Sequence, residues 1–138
     1  WTPYYAMSAG PLLVKDGKVV TDVTKQDGVF VRNYESIAAD IFTDTAATPD
    51  RTAVGYTEDG KIILFVCDGR ITVSKGASIL EMGQIMKGLG CVGAVNFDGG
   101  GSTAMTLYGK RVNSFLSNTS GATENRRVGS VMGFYKKK

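Results

Sequence analysis

Short apolar runs broken by Asp-Gly turns recur along this chain, and they point to a sheet built largely of hairpins. In residues 11–20, Asp16-Gly17 separates Leu12-Leu13-Val14 from Val19-Val20. Such a pair supplies the positive φ that a tight hairpin turn requires. Glu58-Asp59-Gly60 stands in the same way between residues 52–57 and 61–67, which predicts a second hairpin. The run Ile62-Ile63-Leu64-Phe65-Val66 is continuously apolar, so its strand is expected to be buried on both faces. It stops at the polar turn Asp68-Gly69-Arg70.

One segment breaks this period. Ile79, Met82, Met86 and Leu89 fall on one face at helical spacing. Ser78 with Glu81 three residues on matches a capping box, and Gly90 fits the C-terminal end. Residues 78–89 are therefore read as a helix. Weaker helical spacing runs through Ile37, Ala38 and Ile41 in residues 34–42, and residues 43–50 and 117–125 read as polar loops. A buried strand is expected over 92–97, a hairpin over 103–113 turning at Gly109-Lys110, and a closing strand over 127–135 with Val128, Met132 and Phe134 apolar. The expected fold is α+β, with a mixed, mainly antiparallel β-sheet and one or two packed helices. Residues 1–138 read as one domain without repeat or linker.

Composition narrows the function. The net charge of +3 resides in Lys136, Lys137 and Lys138, which read as a solvated tail. No basic patch marks a nucleic-acid binder, and no apolar run approaches the roughly 20 residues of a membrane span. The chain opens on Trp1, so it reads as processed or as part of a longer protein. Cys67 and Cys91 are read as buried thiols or as a bridge between neighbouring strands. There is no histidine. Ser-His-Asp and Cys-His machinery and a His-based zinc site are thereby excluded within the chain. Proton transfer falls to Asp and Glu, with Lys or Tyr behind them.

Eighteen glycines in 138 residues is about twice the usual share of roughly 7%. Three of them are consecutive, in Asn96-Phe97-Asp98-Gly99-Gly100-Gly101-Ser102-Thr103. This loop leaves the end of a buried strand. It lacks the lysine ending of a Walker loop. Without β-carbons a ligand can approach the backbone closely, and the N–H groups of Gly99, Gly100 and Gly101 can converge on an anion. A plain glycine-rich turn is the structural alternative.

These residues resemble the NLDGGGS(S/T) signature of the phosphodiester glycosidase family. Other segments agree in order: Ser8-Ala9-Gly10-Pro11-Leu12-Leu13 is similar to the family's SGGPLL, Arg51-Thr52-Ala53-Val54-Gly55 to its RTAVG, and Asp68-Gly69-Arg70 to its DGR. Asn113 and Arg127-Val128 match later positions. Ala9 and Thr103 depart mildly from the pattern, and the family's upstream NGGFF-like motif has no counterpart. The resemblance thus implies the C-terminal portion of a family domain, with a missing N-terminal part or a second chain completing it. It further implies an extracytoplasmic hydrolase acting on a glycan or sugar-phosphate substrate.

Cleavage of a sugar-1-phosphodiester at the glycosidic bond expels a phosphate monoester, already a good leaving group. The site then needs an anion clamp and a carboxylate that attacks the sugar or activates water. Asp98 is the first candidate for that carboxylate, Asp68 the second, and Glu81 a third through the resemblance. Arg51 and Arg127 are candidate phosphate ligands. Asn96, Ser102, Thr103 and Asn113 are candidate hydrogen-bonding partners of the substrate. Each has a structural alternative: loop stiffening for Asp98, a turn for Asp68 and Asn113, the helix cap for Glu81, surface ion pairs for the arginines. Asp98 and Asp68 could also hold calcium through oxygen ligands, although no EF-hand spacing exists. A non-catalytic glycan- or phosphate-binding module and a structural interaction domain remain as alternative functions.

Overall fold

A computed structural model of the chain describes residues 6–20, 23–26, 29–32, 48–114 and 127–135. The first expected hairpin forms: β1 (Leu12–Lys15) turns at Asp16-Gly17 into β2 (Lys18–Val19), with both turn residues at positive φ. β3 (Val23–Gln26) and β4 (Val29–Arg32) make a separate two-stranded ladder. β5 (Arg51–Thr57) and β6 (Ile62–Cys67) pair without interruption from Arg51↔Cys67 to Tyr56↔Ile62. After α1 (Ile79–Gly88), β7 (Cys91–Phe97) inserts between β1 and β5. The five-stranded sheet runs β2-β1-β7-β5-β6, and every pairing is antiparallel.

The helix forms where its caps and apolar stripe predict. The Ser78 hydroxyl accepts from the Glu81 N–H at 3.2 Å, and the Glu81 carboxylate accepts from the Ser78 N–H at 2.7 Å. Ile79, Met82, Gly83 and Met86 are buried against β1, β2, β5 and β7. Burying a side chain of the size of Met82 or Met86 contributes on the order of 1.5–3 kcal/mol. Leu13, Ala53, Cys91 and Ala94 complete the core on the sheet side.

The helix covers one face of the sheet. Among the described residues the opposite face is open, with Tyr56, Ile62 and Leu64 exposed at 53%, 52% and 42%. This corrects the expectation for residues 62–66. Among the described residues β6 is an edge strand. Its Ile63 and Phe65 pack toward the core, while Ile62 and Leu64 alternate onto the open face. An unbroken apolar run does not tell an edge strand with one covered face from a strand covered on both.

Two smaller differences follow from local geometry, and the choice between free and bridged cysteines is resolved by the sheet register. The later hairpin turns at Tyr108-Gly109, one residue earlier than expected, between β8 (Thr106–Leu107) and β9 (Lys110–Arg111). Residues 127–135 form no strand; Gly129 and Gly133 interrupt the run, and Val131, Phe134 and Tyr135 are exposed. The cysteines cannot bridge, because Cys67 lies opposite Arg51 and Cys91 opposite Thr57, at the two ends of β5. That separation is roughly 20 Å at a rise of about 3.3 Å per residue, beyond any disulfide. Both thiols are free, and burial raises the pKa of each. The weak helical segment 34–42 and the loop 117–125 lie outside the described residues.

Candidate active site

β7 occupies the middle of the sheet, so the loop after Phe97 emerges between the starts of β1 and β5. Thr52 pairs with Phe97, and Ala53 with Asn96. On the other side, the Asn96 N–H donates to the Pro11 carbonyl at 3.0 Å, and the Gly10 N–H to the Asn96 carbonyl at 2.9 Å. Residues 10–11, 50–52 and 96–100 are thereby brought together although they lie far apart in sequence.

The glycine loop is pinned where it meets Asp50. The Gly100 N–H donates to the Asp50 carbonyl at 2.8 Å. A β-carbon at position 99 would sit 2.7 Å from that same oxygen, so Gly99 is required by close backbone approach. Gly100–Ser102 then form a single 3-10 turn. The Gly99 N–H donates to the Asp98 carboxylate at 2.9 Å, the Ser102 N–H to the Gly99 carbonyl at 3.1 Å, and the Thr103 N–H to the Gly100 carbonyl at 3.0 Å. Of the three N–H groups expected to converge on an anion, those of Gly99 and Gly100 are thus bonded within the protein. Formal positive charge at the site comes from side chains.

A cavity of about 430 Å³ opens at this end of the sheet, with Arg51, Arg70, Asn96, Asp98, Gly99 and Gly100 in its wall. That volume lies within the roughly 300–1,000 Å³ usual for small-ligand sites. Arg51 is 8% exposed, and its Nε donates to the Ala77 carbonyl at 2.8 Å. Burial, and then the like charge of Arg70, hold its guanidinium below the ordinary arginine value. Neither arginine forms an ion pair among the described residues. Two guanidiniums against one carboxylate, Asp98, leave the described wall with an excess of positive charge, which favours an anionic ligand.

Asn96 is 4% exposed, and its orientation is determined by its donors. Its Nδ2 donates to the Gly10 carbonyl at 3.1 Å and to the Phe97 carbonyl at 2.7 Å. A flipped amide would set oxygen against two carbonyls. Its Oδ1 is left without a partner among the described residues.

The other sequence-predicted residues lie outside the cavity wall. Asp68 anchors the chain beyond β9. Its carboxylate accepts from the Ser114 N–H at 3.0 Å and from the Asn113 amide at 3.2 Å. Asn113 in turn accepts from the Met105 N–H at 2.8 Å and donates to the Thr103 carbonyl at 3.3 Å. Arg111 donates to the carbonyls of Asn113, Thr103 and Ser114. Thr103 is 3% exposed, and its hydroxyl accepts from that of Thr52 at 3.1 Å. This network holds the exit of the glycine loop. Ser102 and Gly101 belong to the 3-10 turn, Glu81 is engaged in the helix cap, and Arg127 lies in the exposed segment 127–135.

Two predictions arise here. Burial pushes the Asp68 carboxyl up, but hydrogen bonds from Ser114 and Asn113 and the charge of Arg111 outweigh it and leave its pKa lowered. A folded pKa below the unfolded value, near 3.9, contributes stability that is present above that value and is lost as pH falls through the folded pKa. Thermal melts against pH should show Asp68→Asn less stable than wild type at neutral pH, with the gap closing on acidification below about pH 4. Equal pH dependence in the two proteins would show that the anchor contributes nothing. For Glu81, a carboxamide preserves the capping box. Glu81→Gln should therefore melt within about 0.5 kcal/mol of wild type and keep its turnover; a large loss of turnover in a stable variant would assign Glu81 a chemical role.

Among the described residues, no three Asp, Glu, Cys or His side chains gather closely enough to hold a metal ion. Sequence reasoning did not single out Arg70 as a site residue. Asp68-Gly69-Arg70 reads as a turn and is similar to the family's DGR, and nothing in that tripeptide says that the arginine faces the cavity. A further depression of about 420 Å³ lies on the open sheet face, between Leu12, Val54, Tyr56, Ile62 and Val95.

Comparisons with known proteins bear on the family and the fold. Residues 2–135 match the phosphodiester glycosidase family. The chain is 42% identical over 101 residues to mouse N-acetylglucosamine-1-phosphodiester alpha-N-acetylglucosaminidase, covering 72% of this chain and 17% of that protein. With the human protein of the same name it is 33% identical over 88 residues, covering 64% and 15%. Among solved structures, the zebrafish catalytic domain of that enzyme, auto-inhibited by its pro-peptide, superposes with a TM-score of 0.60 at 23% identity. That match covers 88% of this chain and 39% of the zebrafish chain, and it bears on the fold alone. A putative exported protein from Burkholderia pseudomallei matches with a TM-score of 0.52 at 45% identity, over 60% of this chain and 15% of that one. The chain thus spans only a small part of each relative's length.

Proposed function

The chain belongs to the phosphodiester glycosidase family, and from that premise we propose that it takes part in hydrolysing the glycosidic bond of a sugar-1-phosphodiester outside the cytoplasm. The observation that carries this reading is the meeting, at one cavity, of Asp98 and the buried Arg51, which forms no ion pair among the described residues. The mouse and human relatives, by name, act on an N-acetylglucosamine-1-phosphodiester, and the bacterial neighbour is described as exported. Among the described residues no helix is long and apolar enough to cross a membrane.

In the proposed reaction, the bond between the anomeric carbon and the phosphate oxygen breaks. The bonding electrons leave with the phosphate monoester. Water supplies hydroxide to the sugar, and its remaining proton ends on the departing phosphate or on solvent. Arg51 neutralises the charge that builds on the phosphate, which lowers the demand for a strong general acid. Asp98 either attacks the anomeric carbon or takes the proton of the attacking water. Asn96, held by the Gly10 and Phe97 carbonyls, fixes the strand end from which Asp98 follows. The loop from Gly99 to Thr103, pinned at both ends, keeps Asp98 in place.

One observation favours a second reading, a binding module without turnover. Among the described residues Asp98 is the only carboxylate-bearing residue in the cavity wall, whereas glycoside hydrolysis commonly uses a pair. A panel of sugar-1-phosphodiesters, including an N-acetylglucosamine one, separates the two when assayed for sugar release with calcium and with chelator. Sugar release supports the hydrolase and the chelator arm reports any metal requirement; binding without release supports the module.

A further inference from the structure

Three non-glycine residues adopt positive φ among the described residues: Asp16, Tyr108 and Arg70. Asp16 and Tyr108 each open a two-residue hairpin turn, β1–β2 and β8–β9, where the turn itself demands that conformation. Arg70, at φ +56, has no such reason. It opens a short loop closed by its N–H to the Lys75 carbonyl at 3.3 Å and by the Ile71↔Ser74 bridge. Glycine favours this conformation, and a residue with a β-carbon is strained in it. Asparagine and aspartate relieve the strain with a local side-chain hydrogen bond. The Arg70 side chain makes no hydrogen bond or ion pair within the described residues, and it lies in the cavity wall beside Arg51. Strain of this kind, on a residue with no structural partner and at a cavity, is a mark of function.

We infer that Arg70 is a ligand-binding residue, the outer arm of a two-arginine grip on a phosphoryl group whose inner arm is Arg51. This rests on the cavity being the site proposed above and names the group that site takes. The two arms differ in kind. Arg51 is buried and tethered through Nε to Ala77, so it presents its remaining donors in a set direction. Arg70 is exposed and untethered, and it closes on the phosphoryl oxygens from the solvent side. Both arginines stand in the wall of one cavity, where the like charge of Arg70 acts on Arg51, and a bound anion relieves it.

The decisive variant is Arg70→Gly, because glycine is the residue this backbone favours. Isothermal titration at low salt would use inorganic phosphate and dimethyl phosphate, a monoester-like dianion and a diester monoanion, with thermal melts of the same proteins. The expected result is a Tm equal to or above wild type, together with phosphate and diester affinities about tenfold or more below it, the scale of one lost charge-assisted bond. Arg70→Lys, which keeps the charge but not the fork, should fall between. The inference is overturned if Arg70→Gly binds both anions as wild type does, if it melts well below wild type, or if the wild-type chain binds neither anion. Turnover is not read here, so a chain that binds phosphate through Arg70 but releases no sugar would sink the hydrolase and leave this grip standing.

Discussion

Alanine at position 76 should unfold the chain, or lower its melting temperature by ten degrees or more. Gly76 has φ +92, and a β-carbon there would collide with the backbone carbonyl oxygen of Thr48. Two costs add. The left-handed conformation is worth roughly 1–2 kcal/mol against a residue with a β-carbon. Forcing apart packed backbone adds about 1–3 kcal/mol, and here the neighbour is main chain, which cannot swing aside as a side chain does. Total stability for a domain of this size is only about 5–15 kcal/mol. Thr48 leads directly into Asp50, whose carbonyl holds Gly100, and into Arg51. The damage therefore reaches the cavity as well as the fold. Gly60→Ala is the control: Gly60 has φ +83 but nothing within 4 Å of the added carbon, so it should cost about 1 kcal/mol. Thermal melts of the two variants measure the difference. Equal melting temperatures would mean that Thr48 yields freely.

Asp98→Asn should abolish sugar release while leaving the fold and the affinity for the ligand nearly intact. The carboxylate's structural duty is to accept one hydrogen bond from the Gly99 N–H at 2.9 Å. An asparagine carbonyl oxygen accepts that bond equally well, so the loop should hold its shape and the Tm should stay close to wild type. The variant loses only the ability to attack or to take a proton. A positioned general base contributes about 10²–10⁴ in rate, and a nucleophile's loss is at least as severe. Turnover should therefore fall by a factor on the order of 10³, with KM little changed. Steady-state kinetics on a sugar-1-phosphodiester test this, and a variant within a few fold of wild type would remove Asp98 from the chemistry.

The parts of the fold that were legible in the sequence are those encoded locally. Asp16-Gly17 and Asp59-Gly60 specify turns through their own backbone preferences. Ser78 and Glu81 specify a helix start by reaching each other across three residues. The segment around Asp98 stood out because three glycines in a row among polar neighbours are rare without cause. What was not legible depends on distant partners. Whether residues 62–66 lie at an edge is decided by which strand β5 takes on its other side, and that strand is β7, some thirty residues on. The role of the glycines was visible only in part. Gly99 is required by the Asp50 carbonyl, a contact between residues far apart in sequence. Likewise Arg70 reads as the tail of a turn until the cavity shows it beside Arg51, and Asp68 reads as a strand end until Ser114 and Asn113 are found on its carboxylate.

The proposed reaction places bond cleavage between the anomeric carbon and the phosphate oxygen, not at phosphorus, and hydrolysis in heavy-oxygen water measures that choice directly. Mass spectrometry of the two products from an N-acetylglucosamine-1-phosphodiester would locate the label. A glycosidase leaves the heavy oxygen in the anomeric hydroxyl of the released sugar and none in the phosphate monoester, and that is the expected result. Label in the phosphate instead would mean attack at phosphorus, and would contradict the glycosidase chemistry assigned to Asp98 and Arg51.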